Sequence, residues 1–293
     1  MTNQIKELLL KLKICQPGSI YKFYPHIRDK IRNLAVLRCR KSGVIFLSRT
    51  NHISSEYYSK IDKFKYWSAK NRRDALKATL EDDRRRVSDF KEFIAGKKWL
   101  DFGTGPGGVL DFLSPLAKET FAVEPQAVAL NALKKIGYQV YADLAEVPAK
   151  NLDVITLFHV FEHLSDPLSV LREIKNRLKI GGKVIIEVPH ARDFLFNTLD
   201  LDSFKEFTFW SEHLILHTKQ SLKKFLEAAG FKRIKISGYQ RYPLSNHLYW
   251  LRYGKPAGHK KWDFLNGKEI EKAYTDLLKK IDQTDTLIAV AEK

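Results

Sequence analysis

From residue 97 onward, short apolar runs alternate with stretches whose apolar positions recur every three or four residues. The runs "KKWLDFG" (97–103), "TFAVEP" (120–125), "YQVYAD" (138–143), the first half of "LDVITLFHVFEHL" (152–164), "KVIIEVPH" (183–190), "FKRIKISGYQ" (231–240) and "DTLIAVAEK" (285–293) read as seven strands. Between them "GVLDFLSPLA" (108–117), "AVALNALKKIG" (127–137), "DPLSVLREIKNRLKIGG" (166–182, stopped by its glycines) and "TKQSLKKFLEAAG" (218–230) read as helices. Alternation at this spacing predicts an α/β fold with a doubly wound, mostly parallel sheet. The runs are nearly continuous in apolar residues, as expected when helices cover both faces. Residues 241–284, aromatic and charged, form an insertion between the last two strands.

The first 96 residues follow another pattern. "MTNQIKELLLKLKICQPG" reads as an amphipathic helix and lacks the basic–apolar–small order of a signal peptide. "AVLRCRKSGVIFLSR" (35–49) alternates like a hairpin with "KSG" as its turn. "EYYSKIDKFKYWSAKNRRDALKATL" (56–80) reads as one helix. "EDDRRRVSDFKEFIAG" (81–96) reads as another, its acids in the first turn and Gly96 past its end.

Composition narrows the classes. Among 293 residues 44% are hydrophobic, enough for a filled core. No run reaches the ~18 apolar residues a transmembrane helix needs. Two cysteines, Cys15 and Cys39, make no disulfide framework, and a cytoplasmic protein is expected. The net charge is +17 and unevenly placed. Residues 1–98 hold 24 basic and 10 acidic side chains, whereas the other 195 hold 27 and 24. Such a field concentrates anions: a phosphate-bearing small molecule, a lipid or a nucleic acid. A solvated surface that aids solubility is the plainer reading.

The chemistry centres on "WLDFGTGPGGVLDF" (99–112). Gly103, Gly105 and Gly108 fit a dinucleotide loop, and Gly103, Gly105 and Gly107 fit a loop for S-adenosylmethionine. Asp101 separates the two. An acid at the strand end would repel a pyrophosphate but suits a sulfonium and an amino-acid ammonium, so an NAD oxidoreductase is disfavoured. Glu124 ends the next strand, where a carboxylate accepts hydrogen bonds from ribose hydroxyls. Asp143 ends the third and lies within reach of an adenine amine.

The ordered set "LDFGTGPGG", "FAVEP", "YADL", "LDVITLFHVFEHLSDP", "LKIGGKVIIEVP" and "LEAAGF" resembles class I S-adenosylmethionine-dependent methyltransferases. The resemblance implies a seven-stranded sheet with the last strand antiparallel. It implies cofactor contacts at Asp101, Gly103, Gly105, Glu124, Asp143 and Leu144, with Phe158 and His159 lining the methyl end, and S-adenosylhomocysteine as product. The "FHVFEHL" form is similar to small-molecule enzymes, including sugar and quinone methyltransferases. "LRCRKSGVIFL" resembles the zinc-binding N-terminal region of sugar methyltransferases. There two C-x-x-C pairs hold zinc. Here Cys15 lacks a partner at Gly18, and Ser42 replaces the partner of Cys39. Cys15, Cys39 and His26 would supply three of the four ligands zinc needs, so a metal-free remnant is expected. The chain then divides into a basic N-terminal lobe, 1–95, and a methyltransferase core, 96–293, carrying the insertion.

A hydroxyl acceptor requires a base. His213, in a stretch where the resemblance implies acceptor contacts, ranks first, then His190 and His159; His163 reads as structural. Tyr242, His247, Tyr249, Trp250 and His259 of the insertion are candidates for an acceptor wall, or else a cluster that anchors the insertion. Tyr57 and Tyr58 could close over the cofactor. The expected reaction is methyl transfer to a small anionic acceptor, a nucleotide-linked or glycan sugar of polysaccharide biosynthesis. An RNA methyltransferase is the competing reading, disfavoured because no N-P-P-aromatic motif follows the fourth strand and no RNA-binding module is visible. A cofactor-binding partner without catalysis is the third.

Overall fold

A computed structural model describes residues 3–53, 56–61, 64 and 69–293. Helix α1 (Gln4–Lys11) is capped by Asn3, whose side chain accepts the Lys6 amide at 3.1 Å, and it buries Ile5 and Leu9. Strands β1 (Ile20–Tyr24), β2 (Val36–Cys39) and β3 (Ile45–Leu47) are antiparallel, and β2–β3 is the expected hairpin. Its turn needs Gly43, at φ +76°.

Helix α2 (Arg72–Ile94) corrects the reading of residues 56–96. Residues 56–60 form turns and not a helix; the part of that expectation at 62–63 and 65–68 lies outside the described residues. Asn71 caps α2 through the Asp74 amide (3.0 Å), so the helix starts at Arg72 and runs unbroken through "EDDRRR". Those charges sit in mid-helix, with partners elsewhere in the fold. Gly96, at φ +69°, follows the helix end as expected.

The core continues through β4 (Lys98–Phe102), α3 (Gly108–Leu113), β5 (Glu119–Val123), α4 (Ala127–Lys135), β6 (Val140–Tyr141), β7 (Leu152–Phe158), α5 (Pro167–Arg177) and β8 (Leu178–Pro189). Then come α6 (Phe194–Asn197), α7 (Asp202–Thr208), β9 (Ile215–Leu216), α8 (Lys219–Ala228), β10 (Lys232–Tyr239), α9 (Leu244–Tyr253), α10 (Gly258–Lys261), α11 (Lys268–Lys280) and β11 (Thr286–Glu292). The main sheet has the order β10-β11-β8-β7-β4-β5-β6. Strand β11 is antiparallel to both neighbours, and the other described pairings are parallel. Chain order reverses between β4 and β7, so the loop after β4 opens at the crevice where such sheets bind ligands.

Two details differ from expectation. The glycines of "LKIGG" do not stop α5. That helix ends at Arg177, and Gly181 and Gly182 shape the start of β8, where the register with β7 shifts. A Cβ on Gly182 would stand 2.9 Å from the Leu152 carbonyl oxygen. A second sheet, β1-β2-β3-β9, was not expected. Its last strand has two residues, too few to show a periodicity, and it stitches the N-terminal hairpin to the segment after β8. Among the described residues no helix is long and apolar enough to cross a membrane.

Candidate active site

Strand β4 ends in the glycine loop, where Gly103, Gly105 and Gly107 have φ of +76°, +60° and +79°. A Cβ on Gly103 would approach Val160 to 2.4 Å, and one on Gly107 would approach Leu133 to 2.5 Å. Gly108 serves packing: a Cβ there would fall 2.0 Å from the Asp83 carboxylate of α2. Glu124, buried at the end of β5, clamps the loop by accepting the Gly105 amide (2.7 Å) and the Gln126 amide (2.9 Å).

Asp101 lies beneath this loop, only 3% exposed. The Trp99 indole N–H donates to Thr156 Oγ1 (2.9 Å), which leaves the Thr156 hydroxyl hydrogen to donate to Asp101 Oδ1 (2.6 Å). Asp101 and Thr156 face each other across β4 and β7. Among the described residues no basic side chain lies within 4 Å of this carboxylate. Burial pushes its pKa up to about 6, against the pull of its hydroxyl donors and of the more distant Arg86 charge. Asp143 and Leu144 follow β6; Asp143 accepts the Ala145 amide (2.8 Å) and Leu144 is buried.

At the carboxyl ends of β7 and β8 a charge network spans four segments. Glu187 of β8 is wholly buried and accepts two bonds from Arg85 (2.9 Å each) and two from Arg86 (2.9 and 3.1 Å), both of α2. Burial alone would raise its pKa, but the Arg86 and Arg85 charges and His159 hold it well below the carboxylate range. His159 follows β7 in a left-handed conformation, φ +55°. Its Nδ1 faces Glu162 (3.1 Å), and its Nε2 lies 3.0 Å from Arg241 Nη1 and 3.3 Å from Glu187. Arg241, just beyond β10, also reaches Asp82 of α2 at 3.3 Å.

Beside this network Glu162 and His163 meet His213. Each offers one potential ligand atom, all within 4.8 Å of one another, a grouping that the metal-free expectation did not foresee. His213 Nδ1–H donates to the Thr208 carbonyl at 2.9 Å, leaving Nε2 with a lone pair. Burial first, then the neighbouring His163, lowers its pKa to about 3, so the ring is neutral at pH 7.

A family model described as a methyltransferase domain matches residues 69–236. The chain belongs to that family. A ubiquinone biosynthesis O-methyltransferase from Pseudomonas syringae pv. tomato is 37% identical over 181 residues, covering 54% of this chain and 75% of that one. One from Xanthomonas euvesicatoria is 28% identical over 155 residues, 47% of this chain and 64% of the relative. The chain thus spans less than two-thirds of the Xanthomonas protein's length. A S-adenosylmethionine-dependent methyltransferase structure from Archaeoglobus fulgidus shares the fold, with a TM-score of 0.53 at 19% identity over 74% of this chain and 96% of that one.

In this methyltransferase-family chain the other expected residues fall into distinct places. His190 is fully buried, its Nδ1 bonded to the Thr284 carbonyl (3.0 Å), which ties the end of β8 to the approach to β11. Both nitrogens of His159 are engaged. Phe158 packs on Phe90 (5.2 Å) under the Arg86 guanidinium (5.1 Å). In the insertion, buried Trp250 wedges against Phe204 (5.1 Å) and Phe207 (5.3 Å), and Tyr249 against Trp262 (5.2 Å). These two anchor the insertion. His247 is buried too, bonded to the Tyr274 hydroxyl (2.7 Å). Tyr242 lies under Arg241 (5.1 Å) and against His259 (5.3 Å), nearer the network.

Tyr57 donates to Glu212 (2.9 Å). The Tyr58 hydroxyl is buried, and burial plus the charges of Glu212, Glu162 and Glu124 push its pKa up. In the hairpin, Cys39 lies 3.2 Å from Ser19 Oγ and Cys15 lies 4.0 Å from Ser42 Oγ, while the His26 ring rests on Tyr24 at 4.7 Å. Each thiol thus has a serine hydroxyl beside it.

Sequence reasoning missed Asp82, Arg85, Arg86, Glu187 and Arg241. One signal was present: Glu187 interrupts the apolar run "VIIEVP", and an acid in a central strand demands a buried partner.

Proposed function

We propose that this protein transfers a methyl group from S-adenosylmethionine to a hydroxyl oxygen of a small molecule. The observation that carries the reading is the pairing of a buried, cation-poor Asp101 with a glycine loop at the switch point of the sheet. A carboxylate with only neutral donors suits an ammonium. Asp101, Gly103, Gly105, Glu124, Asp143 and Leu144 would hold the cofactor: the first by charge, the glycines by close backbone approach, Glu124 at the ribose, the last two at the adenine. When bound, the cofactor supplies a methyl group already activated for in-line displacement.

The protein then has to place an oxygen and take its proton. His213 is the group placed for this: the Thr208 carbonyl fixes its tautomer so that Nε2 accepts, and the basicity that burial removes is restored in part by the Glu162 charge. Glu162 is charged beside it, held at about 2 by the His159 hydrogen bond and the His163 and His159 charges despite burial, and favours the imidazolium that forms. His159 holds the loop and is not carried forward as base, nor is the enclosed His190. The relatives named for O-methylation in ubiquinone biosynthesis support a hydroxyl acceptor. A sugar acceptor is the narrower alternative, resting on the resemblance of "LRCRKSGVIFL" to the N-terminal region of sugar methyltransferases, from which the missing cysteine pairs depart.

The test is S-adenosylhomocysteine release from wild type with catechols, nucleotide sugars and bulk tRNA. Release with a small hydroxyl compound is expected; release with tRNA alone would overturn the reading. His213→Ala should lower kcat by about a hundredfold or more. Its S-adenosylmethionine affinity should stay within about threefold, because the residue lies outside the glycine loop. Full turnover in that variant would remove His213 from the mechanism.

A further inference from the structure

A groove of about 380 Å³ lies between the N-terminal hairpin, the segment after β8 and the turn after α11. None of its lining residues belongs to the site between Asp101 and His213. Tyr21, Arg38, Arg40, Arg192, Asn197 and Gln283 line it, and no acidic side chain does so. Arg38 lies on β2 and Arg40 just past its end, and Tyr21 is the cross-strand partner of Arg38. Like charges this close repel, so a folded protein keeps them together only at a cost.

Neutral groups hold the guanidiniums in place. Arg38 bonds to the Asn197 side-chain oxygen and stacks on Phe23 at 4.9 Å; Arg40 lies over Tyr21 at 4.9 Å. Among the described residues neither has a carboxylate within 4 Å. Arg192 has one, Asp282 at 3.2 Å, and shares it with Lys219 at 2.7 Å. Gly43 makes the approach possible: a Cβ there would sit 3.2 Å from Arg192 Nε. Asn197 and Gln283 add neutral hydrogen-bonding groups at the wall.

We propose that this groove is a binding site for a phosphorylated, multiply charged anion, held by Arg38, Arg40 and Arg192. Guanidiniums present planar pairs of donors that match phosphate oxygens, and two of these three have no carboxylate within 4 Å among the described residues. The site goes beyond the methyl-transfer reading and does not rest on it. It gives part of the basic surplus of the N-terminal third a specific use.

Calorimetric titration of the full chain with inorganic pyrophosphate at low salt tests it. Saturable binding of one equivalent is expected, weakened at least tenfold in Arg40→Gln/Arg192→Gln, with S-adenosylmethionine affinity changed less than twofold. Both residues are at least partly exposed, so the fold should survive, and Arg38→Gln gives an independent third removal. The control Arg73→Gln/Arg84→Gln, on α2, should bind pyrophosphate like wild type. No saturable binding, or equal weakening in the control pair, overturns the proposal. A parallel titration with uridine diphosphate separates the sources. Affinity at least tenfold above pyrophosphate identifies a nucleotide-borne phosphate engaging the Tyr21 wall; equal affinity identifies a site that reads the phosphates alone.

Discussion

Glu187→Gln should destabilise the fold by about 3–5 kcal/mol, the usual effect of removing one partner from a buried ion cluster. Glu187 is the anion on which Arg85 and Arg86 converge, and the arginine side chains are only 15% and 11% exposed. Glutamine keeps the shape but turns an N–H₂ group toward two guanidiniums. The melting midpoint should fall by roughly 6–10 °C. A fall below about 2 °C would show that the cluster contributes little. The sign of the pH dependence follows from the depressed pKa of Glu187 in the fold. The stabilisation is full above the unfolded value of about 4.3 and is lost as pH falls through the folded value. The gap between wild type and variant should therefore be constant near neutrality and close in acid. Arg241, bonded to His159 and Asp82, joins the same unit, so loosening Glu187 should also raise the mobility of the His159 loop.

Asp101→Asn should lower S-adenosylmethionine affinity about a hundredfold or more, because a buried charge pair loses one member. Asparagine can still accept from Thr156 Oγ1, so the relay from Trp99 survives. The unliganded variant should melt at or above wild type, since burial already disfavours this carboxylate and lifts its pKa to about 6. Between the unfolded value of about 3.9 and that folded value the native state holds the proton, so this group's contribution to stability declines as pH rises through the window. Cofactor affinity behaves oppositely. It should be flat above about pH 6 and fall by about tenfold per unit below it in wild type, while the variant shows no such slope. Equal affinity in both proteins, or a parallel pH profile, would remove Asp101 from the cofactor site.

Most strands of the main sheet are legible because they are runs long enough to show, the two-residue β6 is legible from its place in the strand–helix alternation, and the glycine loop is legible because its residues are contiguous. The same locality explains what was missed. Strand β9 has two residues, and its role in the second sheet depends on β3, more than 160 positions earlier in the chain. The "EDDRRR" run looks like a helix start by composition, yet the true cap is Asn71, and the run's charges are answered by Glu187 and Arg241. No sequence spacing encodes that meeting; the packing of α2 across the sheet does. Among the histidines, sequence could rank proximity to strand ends but not access. His190 makes the same kind of Nδ1–carbonyl bond as His213 but is fully buried where His213 is only partly so, whereas His159 has both nitrogens against charged partners. The aromatic insertion reads equally as a wall or an anchor until Trp250 is seen between Phe204 and Phe207.

An acid before a glycine loop marks a site for a cationic methyl donor. Calorimetric titration of the wild-type chain with S-adenosylmethionine and, separately, with NAD tests it directly. One saturable site for S-adenosylmethionine, with NAD at least a hundredfold weaker, is the predicted result. NAD binding as tight or tighter would contradict it.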